Sequence, residues 1–144
     1  MYRLVNLHQN SGLFLAGIIQ PGVDLVHDEP TFARVGESQA TNSNDTPQSG
    51  KSPSIPGDAE TAIWSYSANT DRLRVQWVNY NNGKPGTDIM YDFATDTFFL
   101  TNNPNGVADS HPLAVVVVCI LLSFLVLNYT YSHFSPTAQN FFYV

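Results

Sequence analysis

The feature that most constrains this chain is an uncharged apolar run near its carboxyl end. Residues 113–127 hold twelve Leu, Ile, Val or Phe side chains in fifteen positions, and no Asp, Glu, Lys or Arg follows Asp109. Extended to residue 131, the run would form a helix about 28 Å long, against a hydrocarbon thickness of about 30 Å. Insertion of these apolar residues into a bilayer would be favoured by roughly 4–7 kcal/mol. The sequence therefore predicts a transmembrane helix at residues 112–131 and a short tail at 132–144.

Two other interpretations of the apolar run stay open. Residues 115–118 are four consecutive valines, which favour β-structure, so the run is also compatible with a buried core element. The change from a polar, turn-rich sequence to an apolar one is abrupt between residues 107 and 113, as in an altered tail that is not an evolved anchor. No Lys or Arg lies within twenty residues of the run, so the sequence does not predict a membrane orientation.

The remaining chain has the pattern of a mainly β protein. Residues 1–35 contain four short apolar stretches separated by turn residues, which predicts short strands. Residues 36–58 hold three Pro, three Gly and five Ser, and their only apolar side chains are Ala40 and Ile55. So few apolar groups offset little of the ordering entropy, and the sequence predicts a flexible, disordered linker there.

Residues 59–106 carry the clearest secondary-structure signal. Side chains alternate between apolar and polar over residues 72–80 and again over 87–93, which is the period of a strand with one buried face. Residues 81–86 between them form a turn sequence, NNGKPG. With further strands at 62–67 and 98–101, we predict a four-stranded antiparallel meander. Its core would be lined by an aromatic row comprising Trp64, Tyr66, Trp77, Tyr91 and Phe93.

Charge and cysteine content exclude several functional classes. A net charge of −6 argues against a nucleic-acid binder, which needs a basic surface. The only cysteine, Cys119, excludes an intramolecular disulfide and a Cys-rich zinc site. The four histidines have no metal-ligand spacing, and no phosphate-binding loop or serine-nucleophile motif is present. We therefore predict no metal, no cofactor and no catalytic residue.

A few residues nevertheless qualify as candidate sites. Trp64, Trp77 and Tyr80 would stack against sugar rings if they were exposed on a sheet face. Asn44 begins the glycosylation sequon Asn-Asp-Thr within the predicted linker. Asp88 and Asp92 are the carboxylates on which a small hydrolase would depend, although a solvated polar face is the simpler interpretation of both.

Residues 58–66 (DAETAIWSY) and 73–79 (LRVQWVN), together with Lys84-Pro85 and residues 99–101 (FLT), resemble a group of uncharacterised secreted proteins from mushroom-forming fungi. The resemblance covers about 43 of 144 residues and consists of aromatic and strand patterns. It implies a secreted β-rich protein with no assigned activity, so no functional residue carries over. The apolar run departs from that group, because a secreted protein does not need it.

Three functional hypotheses follow from these observations. The first is a noncatalytic protein with a small β domain and a single membrane span, whose partner is the lipid bilayer. The second is a soluble, secreted module that binds a carbohydrate or protein ligand through its aromatic side chains. The third is a small hydrolase that uses its carboxylates.

Overall fold

The computed structural model describes residues 4–6, 13–67, 69–70, 72–117 and 141–143, and it shows a mainly β protein with one short helix. In chain order the elements are β1 (Leu4–Asn6), β2 (Phe14–Ile19), β3 (Phe32–Ser38), β4 (Asp58–Glu60), β5 (Trp64–Ser67), β6 (Arg72–Val75), β7 (Asp88–Asp92), β8 (Thr97–Thr101), α1 (Pro104–Ser110), β9 (Ala114–Val116) and β10 (Phe141–Tyr143).

Most strands belong to one antiparallel sheet in the order β10-β1-β2-β3-β8-β7-β9. β4 also pairs with β2, and its Glu60 lies opposite Gly17. β5 and β6 form a separate two-stranded hairpin. The N-terminal strands predicted within residues 1–35 are thus present as β1, β2 and β3, while residues 23–26 form no strand.

Apolar side chains cover both faces of the sheet. On one face the β5–β6 hairpin packs its inner side against β2, β7 and β8, in a core made of Leu15, Ile19, Leu25, Ala33, Ile63, Trp64, Trp77, Ile89 and Leu100. On the other face α1 packs Val107 against Met90, Phe99 and Ala114. Since successive side chains of a strand point to opposite faces, β7 and β8 contribute alternate residues to the two cores.

The predicted strands of residues 59–106 form, but the predicted meander does not. β6 ends at Val75, and residues 76–87 belong to no strand before β7 begins at Asp88. The cause is a pair of long-range hydrogen bonds: the Leu25 N–H donates to Asn79 Oδ1 and the Asn79 Nδ2 donates to the Leu25 carbonyl, both at 2.9 Å. Asn79 is therefore held at Leu25, and the two hairpins enter different sheets.

The predicted disordered linker at 36–58 is packed against the sheet instead. Its first three residues belong to β3 and its last residue to β4, and Gln48 makes a β-bridge with Ala59. Thr41 is buried, and its backbone N–H donates to Thr61 Oγ1 at 2.8 Å while its own hydroxyl accepts from the Thr61 N–H at 2.9 Å. Hydrogen bonds between polar groups hold this loop in place. The loop is therefore ordered although it has few apolar residues.

The helix predicted at 112–131 is wrong where the structure describes it. Ala114–Val116 form β9, which pairs with β7 in the register Ala114 opposite Asp92 and Val116 opposite Met90. Branched valines pack well beside an existing strand, which explains the extended conformation. Residues 118–131 of that prediction lie outside the described residues, as do 132–140 and 144 of the predicted tail.

No helix within the described ranges is long and apolar enough to cross a membrane.

Candidate functional site

The two tryptophans predicted as ligand-stacking residues are buried. Trp64 is 2% exposed and Trp77 is fully enclosed. The Trp64 indole N–H donates to the Leu15 carbonyl at 2.9 Å, which ties β5 to β2. The Trp77 ring lies so close to Gly17 that a Cβ added there would be 2.6 Å from the ring. Neither ring offers a face to a ligand, so the prediction that both stack against sugars is wrong.

Tyr80, the third predicted stacking residue, has its hydroxyl in use. The hydroxyl donates to Asp58 Oδ2 at 2.6 Å, and the Tyr80 backbone N–H donates to Asp24 Oδ1 at 2.7 Å. Burial raises the pKa of Tyr80 to about 12, with a further rise from the bond to Asp58. These bonds hold the residues that follow Trp77 against two other segments of the chain.

The predicted glycosylation residue lies on the surface. Asn44 is exposed in a turn with a backbone φ of 65°, and its Oδ1 accepts a hydrogen bond from Lys84 Nζ at 2.7 Å. The side chain is thus accessible in the folded protein, and its glycosylation stays a prediction.

Asp92 and His111 form a hydrogen-bonded pair between β7 and the end of α1. His111 Nδ1 lies 3.1 Å from Asp92 Oδ2, and the imidazole packs against the rings of Phe32 and Phe99. The pKa of Asp92 lies below its ordinary value, chiefly because the Ala94 backbone N–H bonds the carboxylate, with further bonds from Thr95 and His111. The interpretation of Asp92 as part of a solvated face is therefore wrong, since its side chain is buried.

This pair resembles the acid–base half of a hydrolytic site, but its neighbours bond elsewhere. The Thr95 hydroxyl donates to Asp92 Oδ2 at 2.9 Å, and the Ser110 hydroxyl donates to the Val107 carbonyl at 3.1 Å. Activation of a nucleophile requires a hydrogen bond to the imidazole itself. The bond between His111 and Asp92 connects the end of α1 to β7.

Large apolar side chains are exposed beside this pair. Four such residues are between 47% and 65% exposed: Phe93, Leu113, Val115 and Val116, here named the apolar edge. Phe93 follows β7 directly, and its N–H donates to the Leu113 carbonyl at 3.4 Å. In the described part of the sheet order, β9 is the last strand on this side.

The apolar edge exposes apolar atoms on both faces of β9. Val115 lies opposite Tyr91 and Val116 lies opposite Met90, so the two valines point to opposite faces. Phe93 stacks edge-on against Tyr91 with ring centroids 4.8 Å apart. Three of the four residues fall in the apolar run that the sequence singled out. Phe93, which was predicted to line the core, is exposed because β7 ends before it.

In the part of the chain that the structure describes, no group of three or more His, Cys, Asp or Glu side chains is placed to hold a metal ion.

Comparison of the chain with protein-family models, with curated proteins and with solved structures finds no match.

Proposed function

We propose that this chain is a noncatalytic β-sheet protein that attaches to a neutral lipid bilayer through the apolar edge. The observation that carries the proposal is the grouping of Phe93, Leu113, Val115 and Val116. These are the large apolar side chains that stay exposed among the described residues, and they lie at the same edge of the sheet, with Val115 and Val116 on its opposite faces. Exposed apolar residues scattered singly are ordinary, whereas a contiguous group marks an interaction site.

The chain that continues from the apolar edge favours lipid as the partner. Residues 118–127 (VCILLSFLVL) carry one hydroxyl and no charge. A protein partner would be recognised partly by polar and charged groups around the contact, whereas the interior of a bilayer selects for apolar atoms alone. In the sequence, residues 113–127 are thus one continuous apolar stretch.

Charge favours a neutral surface over an anionic one. All six basic residues precede residue 85, and the net charge is −6. Attachment to anionic lipids relies on clustered Lys and Arg near the membrane. Without such a cluster, the attraction comes from burial of apolar surface and is insensitive to salt.

Vesicle flotation of the full-length protein tests the proposal. We expect the protein to float with phosphatidylcholine vesicles to the same extent in low and high salt. Phe93→Ser combined with Val115→Thr should lower the partition coefficient about tenfold, equivalent to ~1.4 kcal/mol, because less apolar surface is buried.

The matched control is Val35→Thr, the same isosteric change at a partly buried position in β3. It should float like the unmodified protein. Failure of the unmodified protein to float, binding that requires anionic lipid, or equal flotation of the edge variant would each contradict the proposal.

A further inference from the structure

Glu60 is a carboxyl group enclosed in the middle of the molecule, away from the apolar edge. It is 2% exposed and lies on β4 opposite Gly17 of β2. Its Oε2 accepts a hydrogen bond from the Val78 backbone N–H at 3.3 Å, while its Oε1 has no hydrogen-bond partner among the described residues. One long bond is too little to compensate an enclosed negative charge.

The charged group that acts on the Glu60 carboxyl, Asp45, is itself an acid. Asp45 approaches from the 39–57 loop and raises the pKa of Glu60. Asp58, on the same strand, accepts from the Tyr80 hydroxyl, and Asp24 accepts from the Tyr80 backbone N–H. β2 contributes no charged residue. Within the described ranges no Lys or Arg forms an ion pair with Glu60.

We propose that Glu60 is a proton-operated latch that holds β4, the 39–57 loop and residues 76–79 together in its neutral form and loosens them when it ionises. The neutral acid fits the site because it places no charge beside Asp45. Burial, helped by Asp45, raises the pKa of Glu60 to about 8, against the opposing effect of the Val78 N–H. The latch is therefore closed at neutral pH and opens in mildly alkaline solution.

Hydrogen bonds connect the parts that the latch joins, beside the apolar contacts of Trp77 and Ile55. The loop bonds to β4 and the next residue through the Gln48–Ala59 bridge and the paired hydroxyls of Thr41 and Thr61. Residues 76–79 bond to Glu60 through Val78. An ionised Glu60 would repel Asp45 and draw water to this junction, so local opening begins at these segments.

The effect of pH on stability has a defined sign. In the unfolded chain Glu60 ionises near its ordinary pKa of 4.5, whereas in the folded protein it keeps its proton up to about 8. The stabilising effect of its proton is complete below 4.5 and is lost as the pH rises toward 8.

Direct titration of Glu60 is the primary test. In the full-length protein, NMR of the Glu60 side-chain carboxyl carbon should give a midpoint near 8. A midpoint near the ordinary value of 4.5 would overturn the proposal. This measurement needs no substitution, so it decides the question even if a variant folds poorly.

Hydrogen exchange locates the opening. Between pH 6.5 and pH 9, after correction for intrinsic rates, protection should fall in peptides covering 41–61 and 76–79 and hold in β7 and β8. Glu60→Gln, which stays neutral, should abolish the fall, while Glu29→Gln at an exposed position should keep it. An equal fall in protection in Glu60→Gln would overturn the proposal, and so would unchanged protection in the unmodified protein.

Discussion

The two tryptophans and the apolar edge are both groups of large apolar side chains, yet the fold treats them in opposite ways. Trp64 and Trp77 are enclosed between the main sheet and the β5–β6 hairpin. Phe93 and Val115 lie at the side of the same sheet, and their side chains stay exposed. Both groups consist of large apolar residues. They differ in whether another element of the fold packs over their side chains.

This contrast separates what stabilises the protein from what is free to bind. Residues that two layers enclose contribute their buried area to folding and present no surface to a partner. Residues at the apolar edge contribute little to folding and keep their apolar area for an interaction. Exposure, rather than aromatic character, therefore identifies the candidate site.

The largest expected difference between the two groups is in the cost of truncation. Trp77→Ala should lower the free energy of unfolding by about 3–5 kcal/mol, because it leaves a cavity among Gly17, Leu100 and their neighbours. Phe93→Ala should change it by no more than about 0.5 kcal/mol, because the side chain is 65% exposed. Urea denaturation of the two variants measures both changes in the free energy of unfolding. Similar losses at the two positions would break the comparison.

A smaller effect is expected from adding a methyl group to the core. Gly17→Ala would place its Cβ 2.6 Å from the Trp77 ring and 2.8 Å from Leu100 Cδ1. Overpacking of this kind costs about 1–3 kcal/mol. Gly86→Ala is the control, because its Cβ would be 3.9 Å from Asn102 Oδ1, an ordinary contact. In thermal unfolding, the melting temperature of Gly86→Ala should be higher than that of Gly17→Ala. Equal melting temperatures would mean that the Trp77 side chain does not pack tightly on β2.

Local strand structure was predictable from the sequence. The alternation of residues 72–75 appears as β6, with Arg72 and Arg74 exposed, and the turn sequence after residue 80 contains Asn82 with a φ of 64°. These features depend on neighbouring residues alone, so a single sequence contains the necessary information.

Features that depend on distant partners were not predictable in this way. The break after β6 requires Asn79 to bond Leu25, and the order of the predicted linker requires Thr41 to bond Thr61. Neither bond leaves a periodic signal in the sequence, because each joins a polar side chain to the backbone of a residue that is distant in the chain. The same argument applies to Glu60, whose burial follows from pairing of β4 with β2.

The candidate site was predicted in part. The apolar run drew attention to Leu113, Val115 and Val116, but length and hydropathy favoured a helix over the strand that pairs with β7. The sequence pattern predicts Phe93 in the core because Phe93 continues the alternation of β7 by one residue. The strand ends at Asp92, whose side chain caps the following turn through Ala94 and Thr95.

Fluorescence at position 93 tests the central claim most directly. An environment-sensitive dye is attached to Phe93→Cys in a chain whose single cysteine is removed by Cys119→Ser, and separately to Glu29→Cys in the exposed loop before β3. On addition of phosphatidylcholine vesicles, we expect the dye at position 93 to brighten and shift to the blue, while the dye at position 29 stays unchanged. An unchanged spectrum at position 93, or the same shift at both positions, would contradict attachment through the apolar edge.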